Sequence, residues 1–366
     1  MGPAGDRLEM RLAGIHHISA ITGDARRNLQ FYTGALGLRL VAKSVNQDDP
    51  GVYHVFYGEE QARPGADLTF FEYPGAQPGR AGAGMVHRIV WRVGSSQALE
   101  FWQERLAGAG VETRPEHNAL LFRDPEGLAH ELVLNEGPDE PLSARHPEIP
   151  AELALQGFAG VRAYSRRPAA SDGLLADLMR AESRPGGGWE LRGARRGGWI
   201  SFDPAPEAPA RPSAGTVHHV AWSTTDAEQP AWLEELNTEG VPNSGLIDRH
   251  FFHSVYFREP GGILYELATE EPGFMVDGPL SQLGTKLILP PWLEPQRAAI
   301  EGRLTPLPDP RATWPGSRLI SRRRAHPTAR QRLLRPPQPV RESHLRVRKS
   351  APREAGCGGP SWCPAQ

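Results

Sequence analysis

Cysteine is nearly absent: the 366 residues hold two, Cys357 and Cys363, both among the last ten positions. A chain with no thiol before residue 357 cannot be a disulfide scaffold, carry a cysteine nucleophile or hold zinc on thiolates there. Any metal must therefore rest on histidine and carboxylate. Long apolar runs are missing too. No stretch reaches the roughly 20 uninterrupted apolar residues that a membrane span needs, and Met1 to Arg11 is polar instead of carrying the apolar core of a secretory signal. The expectation is a cytoplasmic protein with no membrane partner. Net charge is only −2, but it conceals two opposite parts: Arg311 to Gln366 holds 13 basic and two acidic residues, net +11, leaving −13 over residues 1–310. An acidic body repels phosphate, which excludes nucleic acid as its partner. What the chain does have is 39% hydrophobic residues, ample for a sizeable core in two or more domains.

It also has internal repeats. Gly14-Ile15-His16-His17-Ile18 is echoed by Met85-Val86-His87-Arg88-Ile89 and Thr216-Val217-His218-His219-Val220, each an apolar run of strand character. A segment with amphipathic helical spacing follows each run, carried by Leu29, Phe31, Tyr32 and Leu36, by Leu99, Phe101, Trp102 and Leu106, and by Trp232, Leu233 and Leu236. His16 precedes Phe31 by 15 positions, His87 precedes Phe101 by 14, and His218 precedes Trp232 by 14. Each segment ends near a glycine and an apolar residue, Gly37-Leu38, Gly110-Val111 and Gly240-Val241, as a helix C-cap leading into a strand does.

Three short strands then fit before each unit closes. Two units close on Pro/Gly turns, Arg123-Asp124-Pro125-Glu126-Gly127 before His130-Glu131-Leu132 and Arg258-Glu259-Pro260-Gly261-Gly262 before Tyr265-Glu266-Leu267. The first unit ends in Thr69-Phe70-Phe71-Glu72-Tyr73, and a weaker copy spans Gln156 to Pro204. The fold expected is α+β, four βαβββ modules paired into two cup-shaped barrels. The connector from Asn135 to Pro150 places the boundary near residue 145, with one two-module domain over 11–145 and another over 146–310. Residues 311–366, rich in Arg, Pro and Ser and without apolar period, read as a disordered tail.

Two such units pair into a cup lined by the first and last strands of each. A first-strand His and a last-strand Glu, such as His219 and Glu266, are then neighbours although 47 positions apart. His17 from a second unit completes two imidazoles and one carboxylate, the facial set of non-haem Fe(II) oxygenases, which leaves positions open for substrate and O₂. A lone strand histidine is more often a core or rim group than a ligand; two His-His pairs at equivalent repeat positions are harder to dismiss. Because strand neighbours face opposite ways, only one His of each pair is expected to enter the cup. Unit two carries Arg88 at that place and unit three has no His, so the site falls to units one and four. His54, His87, His130, His250 and His253 read as structural or exposed, and Trp91, Trp102, Trp222 and Trp232 as core.

The repeats, the His-His strands and the Asp/Glu-Pro-x-Gly turn before a Glu strand resemble the vicinal oxygen chelate superfamily, which includes glyoxalase I, bleomycin-resistance proteins and extradiol dioxygenases. Over roughly residues 11 to 310 the chain is most similar to the dioxygenases that cleave hydroquinones. The resemblance implies Fe(II), with Mn(II) as the other metal admitted, on His17, His219 and Glu266. It places His16, His218, Arg249 and Tyr256 around the ligands, with His218 as acid–base group, Tyr256 as hydrogen-bond donor and Arg249 balancing negative charge. Glu72 is expected beside the metal shell as its mirror of Glu266. The partners implied are a small aromatic substrate and O₂; homo-oligomerisation is left open. Two other functions fit the superfamily: a glyoxalase-like isomerase or lyase, with Glu72 as a fourth ligand and no O₂, and a metal-free sequestering protein.

Overall fold

A computed structural model of the chain describes residues 10–312 and Trp314. It contains the four modules. Module one has β1 (Ile15–Thr22), β2 (Arg39–Asn46), β3 (Asp49–Gly58) and β4 (Asp67–Glu72); module two has β5 (Met85–Val93), β6 (Thr113–Glu116), β7 (Ala119–Arg123) and β8 (Ala129–Leu134). Module three has β9 (Phe158–Ser165), β10 (Glu182–Ser183), β11 (Trp189–Arg192) and β12 (Gly197–Pro204); module four has β13 (Thr216–Thr224), β14 (Ile247–Asp248), β15 (Phe252–Arg258) and β16 (Leu264–Pro272).

After the first strand of modules one and two, a side-chain cap turns the chain into a helix. Asp24 accepts the N–H groups of Arg26 and Arg27 to start α1 (Ala25–Leu29), which continues as a π-helical turn through Ala35. Ser95 accepts from Ala98 N–H to start α2 (Ser96–Gly108), and α3 (Gln229–Thr238) carries Pro230 in its first turn. Gly37, Gly110 and Gly240, the three C-cap glycines read from the sequence, have φ of 70°, 75° and 67°. In module three a shorter π-helical turn, Leu174–Leu178, takes the helix's place. The helices bury the expected face: Trp102 and Trp232 are 0% exposed, and Trp91 and Trp222, from the strands they cover, are equally buried.

Each module pairs its first and last strands in parallel, β1 with β4, β5 with β8, β9 with β12 and β13 with β16. Antiparallel pairing of first strands then joins modules: β1 to β13 and β5 to β9. The result is two eight-stranded sheets, in the orders β14-β15-β16-β13-β1-β4-β3-β2 and β10-β11-β12-β9-β5-β8-β7-β6. Two cups are present as expected, but the division near residue 145 does not separate them. One cup is built from modules one and four and the other from two and three, because the seam is between first strands.

Beyond β16 the chain returns to module one. Leu289, Leu293, Ile300, Leu304 and Leu307 join the main core. Ile288 N–H donates to the Lys43 carbonyl at 2.8 Å, and the buried Lys43 ammonium donates to Leu307 O at 3.1 Å. Arg311 forks onto both carboxylate oxygens of Glu60 at 2.9 Å, and its guanidinium lies 4.6 Å from the Trp314 ring centre. The boundary expected at Pro310 is therefore too early: the body extends to Trp314, held by a bidentate pair that charge counting alone cannot reveal. Residues 315–366, where a disordered tail was expected, lie outside the described residues. Among those described, no helix is long and apolar enough to cross a membrane.

Candidate metal centre

His17 on β1, His219 on β13 and Glu266 on β16 meet where the first strands of modules one and four cross the seam. Their ligand atoms lie within 4.8 Å of one another, the only such group of three or more His, Cys, Asp or Glu side chains among the described residues. His17 Nε2 is 3.2 Å and His219 Nε2 2.9 Å from Glu266 Oε2, and the two Nε2 atoms are 3.2 Å apart. All three side chains are buried.

The neighbouring histidines do not turn to the opposite face. His16 is the extra residue of a bulge in β1, between the pairs Ile15 with Trp222 and His17 with Ala221; His218 is the extra residue of a bulge in β13, between His219 with Ser19 and Val217 with Ala20. A bulge sets two residues against one and re-aims the side chain. In consequence His16 Nδ1 lies 3.0 Å from His17 Nδ1, and His218 Nδ1 lies 2.7 Å from His219 Nδ1. Alternation along a regular strand misses this.

These contacts set the tautomers. His16 Nε2 is 3.1 Å from the Thr269 carbonyl, which can only accept, so His16 carries its proton on Nε2. Burial, followed by the neighbouring His17, holds His16 well below the usual histidine range and keeps it neutral. Its Nδ1 is then an acceptor, His17 donates to it from Nδ1, and His17 Nε2 is left with a lone pair toward Glu266. The same relation puts a lone pair on His219 Nε2 when its Nδ1–H donates to His218, which burial and then His219 lower to about 3. Ser254 Oγ donates to Glu266 Oε1 at 2.5 Å, while Oε2 is buried without a hydrogen-bond donor. Two imidazole lone pairs and an orphaned carboxylate oxygen facing one another are mutually repulsive unless a cation sits among them. The residues fit a divalent metal.

Arg249 and Tyr256 stand at the rim on the same side as His219. Arg249 Nε is 3.4 Å from the Tyr256 hydroxyl, and the Tyr256 and His219 rings are 5.7 Å apart. Burial raises the Tyr256 phenol, so it stays protonated. Although burial opposes it, Tyr256 and Asp48 raise the Arg249 guanidinium. Arg249 pairs across the cup with Asp48, at 3.2 Å.

Glu72 is elsewhere. In register, Ala221 faces Glu266 in module four, and its repeat equivalent Ser19 faces Thr69 in module one. Thr69 therefore holds the place of Glu266, and Glu72, three residues on, accepts Ala25 N–H at the start of α1 at 2.8 Å. The Pro64-Gly65 turn before β4 carries the same register, Gly65 preceding Thr69 by four positions as Gly262 precedes Glu266, so the match of Glu72 to Glu266 was out by three. The sequence reading also missed Ser254, a residue type with no signal of its own, and His54, which lines the cup instead of serving as a structural or exposed group.

In the second cup the equivalent positions of β5 and β8 hold Arg88 and Glu131, an ion pair at 2.9 Å. A surface groove of about 420 Å³ beside α3, lined by Asp226, Gln229, Leu246 and His253, contains none of the converging ligands. Function belongs with the buried cluster, where the donor chemistry converges.

The family profile of the "Glyoxalase/Bleomycin resistance protein/Dioxygenase superfamily" matches residues 14–132. The chain is 40% identical over 325 residues to "Putative ring-cleaving dioxygenase MhqA" of Bacillus subtilis, covering 81% of this chain and 100% of the relative. It is 30% identical over 310 residues to the chlorohydroquinone/hydroquinone 1,2-dioxygenase of Sphingobium indicum, covering 79% and 94%. A crystal structure of a "putative dioxygenase" from Bacillus subtilis superposes with a TM-score of 0.76 at 37% identity, over 82% of this chain and 99% of the other. With the two cups, the seam of His-His bulges and relatives matched along nearly their whole length, the chain belongs to the glyoxalase/bleomycin resistance protein/dioxygenase superfamily, among its ring-cleaving dioxygenases.

Proposed function

We propose that the protein is an Fe(II)-dependent dioxygenase of the extradiol type that opens the ring of a hydroquinone or related dihydroxylated aromatic, inserting both atoms of O₂. One observation carries the reading: two imidazole lone pairs and an unpartnered carboxylate oxygen converge in a buried cup. His17, His219 and Glu266 would hold the iron, which supplies Lewis acidity toward a substrate hydroxyl and the redox partner for O₂.

The protein's own groups do the positioning. Phe56, Phe251, Phe252 and Phe274, with the small Ala221 and Ala268, form an apolar cluster beside the ligands. Phe252 packs 4.8 Å from the His17 ring, a setting that suits a flat aromatic substrate and excludes water. Tyr256, protonated, donates to an oxygen of the reacting ring, and Arg249 offsets the negative charge that develops there. His218 orients His219 through Nδ1 and presents Nε2 as the hydrogen-bonding and proton-exchanging group. Glu72, engaged at α1, is withdrawn from the fourth-ligand place that the isomerase reading needs. The named activity of the Sphingobium relative supports hydroquinone as the substrate class.

Anaerobic Fe(II) reconstitution followed by oxygen-electrode assay with hydroquinones and catechols tests the proposal. Hydroquinone-dependent O₂ uptake is expected, with both atoms of labelled O₂ in the product. Absence of uptake with every dihydroxylated ring, together with metal-dependent conversion of a thiol adduct, would replace the dioxygenase with the isomerase.

A further inference from the structure

His54 projects from β3 into the metal cup. Its Nε2 is 2.9 Å from Thr69 Oγ1, and Thr69 is 2.7 Å from Ser19 Oγ, two residues along β1 from His17. The imidazole lies between Phe56 and Phe71, with ring centres 4.0 Å and 4.1 Å away. Phe71 in turn meets His218 at 5.6 Å, which closes the circuit from module one to the metal side of module four. His54 is neutral: burial lowers it well below the usual range, and His17, His219 and Arg249 lower it further. Among the described residues Nδ1 has no hydrogen-bond partner.

The two halves of the cup repeat this arrangement with different chemistry. Phe56 pairs with Thr69 on β4 as Tyr256 pairs with Glu266 on β16, so His54 and Ser254, each two residues earlier, occupy equivalent places. Ser254 binds Glu266 and His54 binds Thr69. Module four spends its pair on the metal. Module one, with no ligand at Thr69, holds an oriented imidazole with one nitrogen to spare.

We infer that His54 Nδ1 hydrogen-bonds the substrate hydroxyl remote from the metal, and that this contact selects rings with para hydroxyls over rings with adjacent ones. The inference rests on the dioxygenase reading above. β3 lies two strand spacings from β1, roughly 10 Å, and hydroxyls at opposite ends of a ring can bridge between the ligands and that wall. Adjacent hydroxyls cannot, since both stay at the metal end. A group that hydrogen-bonds a substrate hydroxyl rejects the analogue lacking it, because the buried partner is left unpaired.

The test compares His54→Phe and His54→Asn with the unmodified Fe(II) enzyme, reading metal content, anaerobic binding of hydroquinone, phenol and catechol by tryptophan fluorescence, and O₂ uptake. Phe retains the stacking between Phe56 and Phe71, and Asn retains a polar group toward Thr69, so one variant serves if the other fails to fold. Full iron occupancy is expected, with hydroquinone binding weakened about tenfold or more, phenol binding unchanged, and the preference for hydroquinone over catechol lost. A folded variant that keeps that preference, or weakens phenol and hydroquinone equally, overturns the role of His54 while the dioxygenase stands. An unmodified enzyme that turns over no hydroquinone brings down both.

Discussion

Ser254→Ala isolates one hydrogen bond in the metal cup. Both partners are 0% exposed, and the hydroxyl must be the donor because ionised Glu266 can only accept. Removing it deletes one oxygen and leaves almost no cavity, so the effect is electrostatic. A hydrogen bond to a charged group is worth about 1.5–3 kcal/mol, which corresponds to about 10–150-fold in affinity. Loss of a partner that orients a metal ligand costs roughly 10–100-fold. The two magnitudes agree. We expect the dissociation constant for Fe(II) or Mn(II), measured anaerobically by chelator competition, to rise about 10–100-fold in Ser254→Ala, and Ser254→Thr to recover part of it. Affinity unchanged within twofold in a folded Ser254→Ala protein would refute the reasoning, and Glu266 would have to be oriented by its strand alone.

Three further outcomes are expected. His16→Phe removes the acceptor that keeps the proton on His17 Nδ1, so metal affinity should fall about tenfold or more, whereas His16→Gln, whose amide oxygen can accept, should fall less; equal losses would discount the tautomer relay. Ending the chain after Trp314 should leave the melting temperature unchanged, while ending it after Pro310 removes the Arg311 fork on Glu60 and should lower it by a few degrees; identical melting of the two would show the fork to be idle. Asp124, which accepts from the Tyr32 hydroxyl at 2.9 Å, is pushed up to about 6, chiefly by burial. Because its folded value lies above the unfolded one, its contribution is present at low pH and lost as pH rises through 6, about 2 kcal/mol between pH 4.5 and 7. Urea unfolding of Asp124→Asn should lack that slope; the same slope in both proteins would contradict the assignment.

The three positions that converge were legible because the repeats supply a ruler. Once Ile15 to Ile18 and Val217 to Val220 are matched, His17 and His219 fall at equivalent places, and the last strand of module four puts Glu266 beside them without a distance being needed. What was not legible depends on register between strands. A bulge is a property of two strands together, so nothing in His16-His17 alone announces that both imidazoles share a side. The place of Thr69 was legible, four residues after Gly65 as Glu266 is four after Gly262, and was missed. His54 sits on a strand whose facing is decided by its pairing with β4, and Ser254 carries no compositional mark at all. Arg311 opens a stretch of like charges, and composition alone does not tell which arginine is paired. The division near residue 145 does not separate the cups because β1 pairs with β13, so modules one and four, which the site reading already joined, close one cup across the chain.

That pairing has a consequence for biosynthesis. Among the described strands His17 is in the first to leave the ribosome and Glu266 in the last, 249 residues later. The middle modules can close their own cup as soon as β12 is made, since both halves of it are local in the chain. The outer cup must wait while β1, with a His-His pair and an edge that only β13 covers, stays unpaired on that side. Long loop closures of this kind slow folding and expose strand edges. The nascent chain holds only one of the three proposed ligands until β13 has emerged, so metal capture by this set is tied to completion of the outer cup, and a product ending before Glu266 lacks the third.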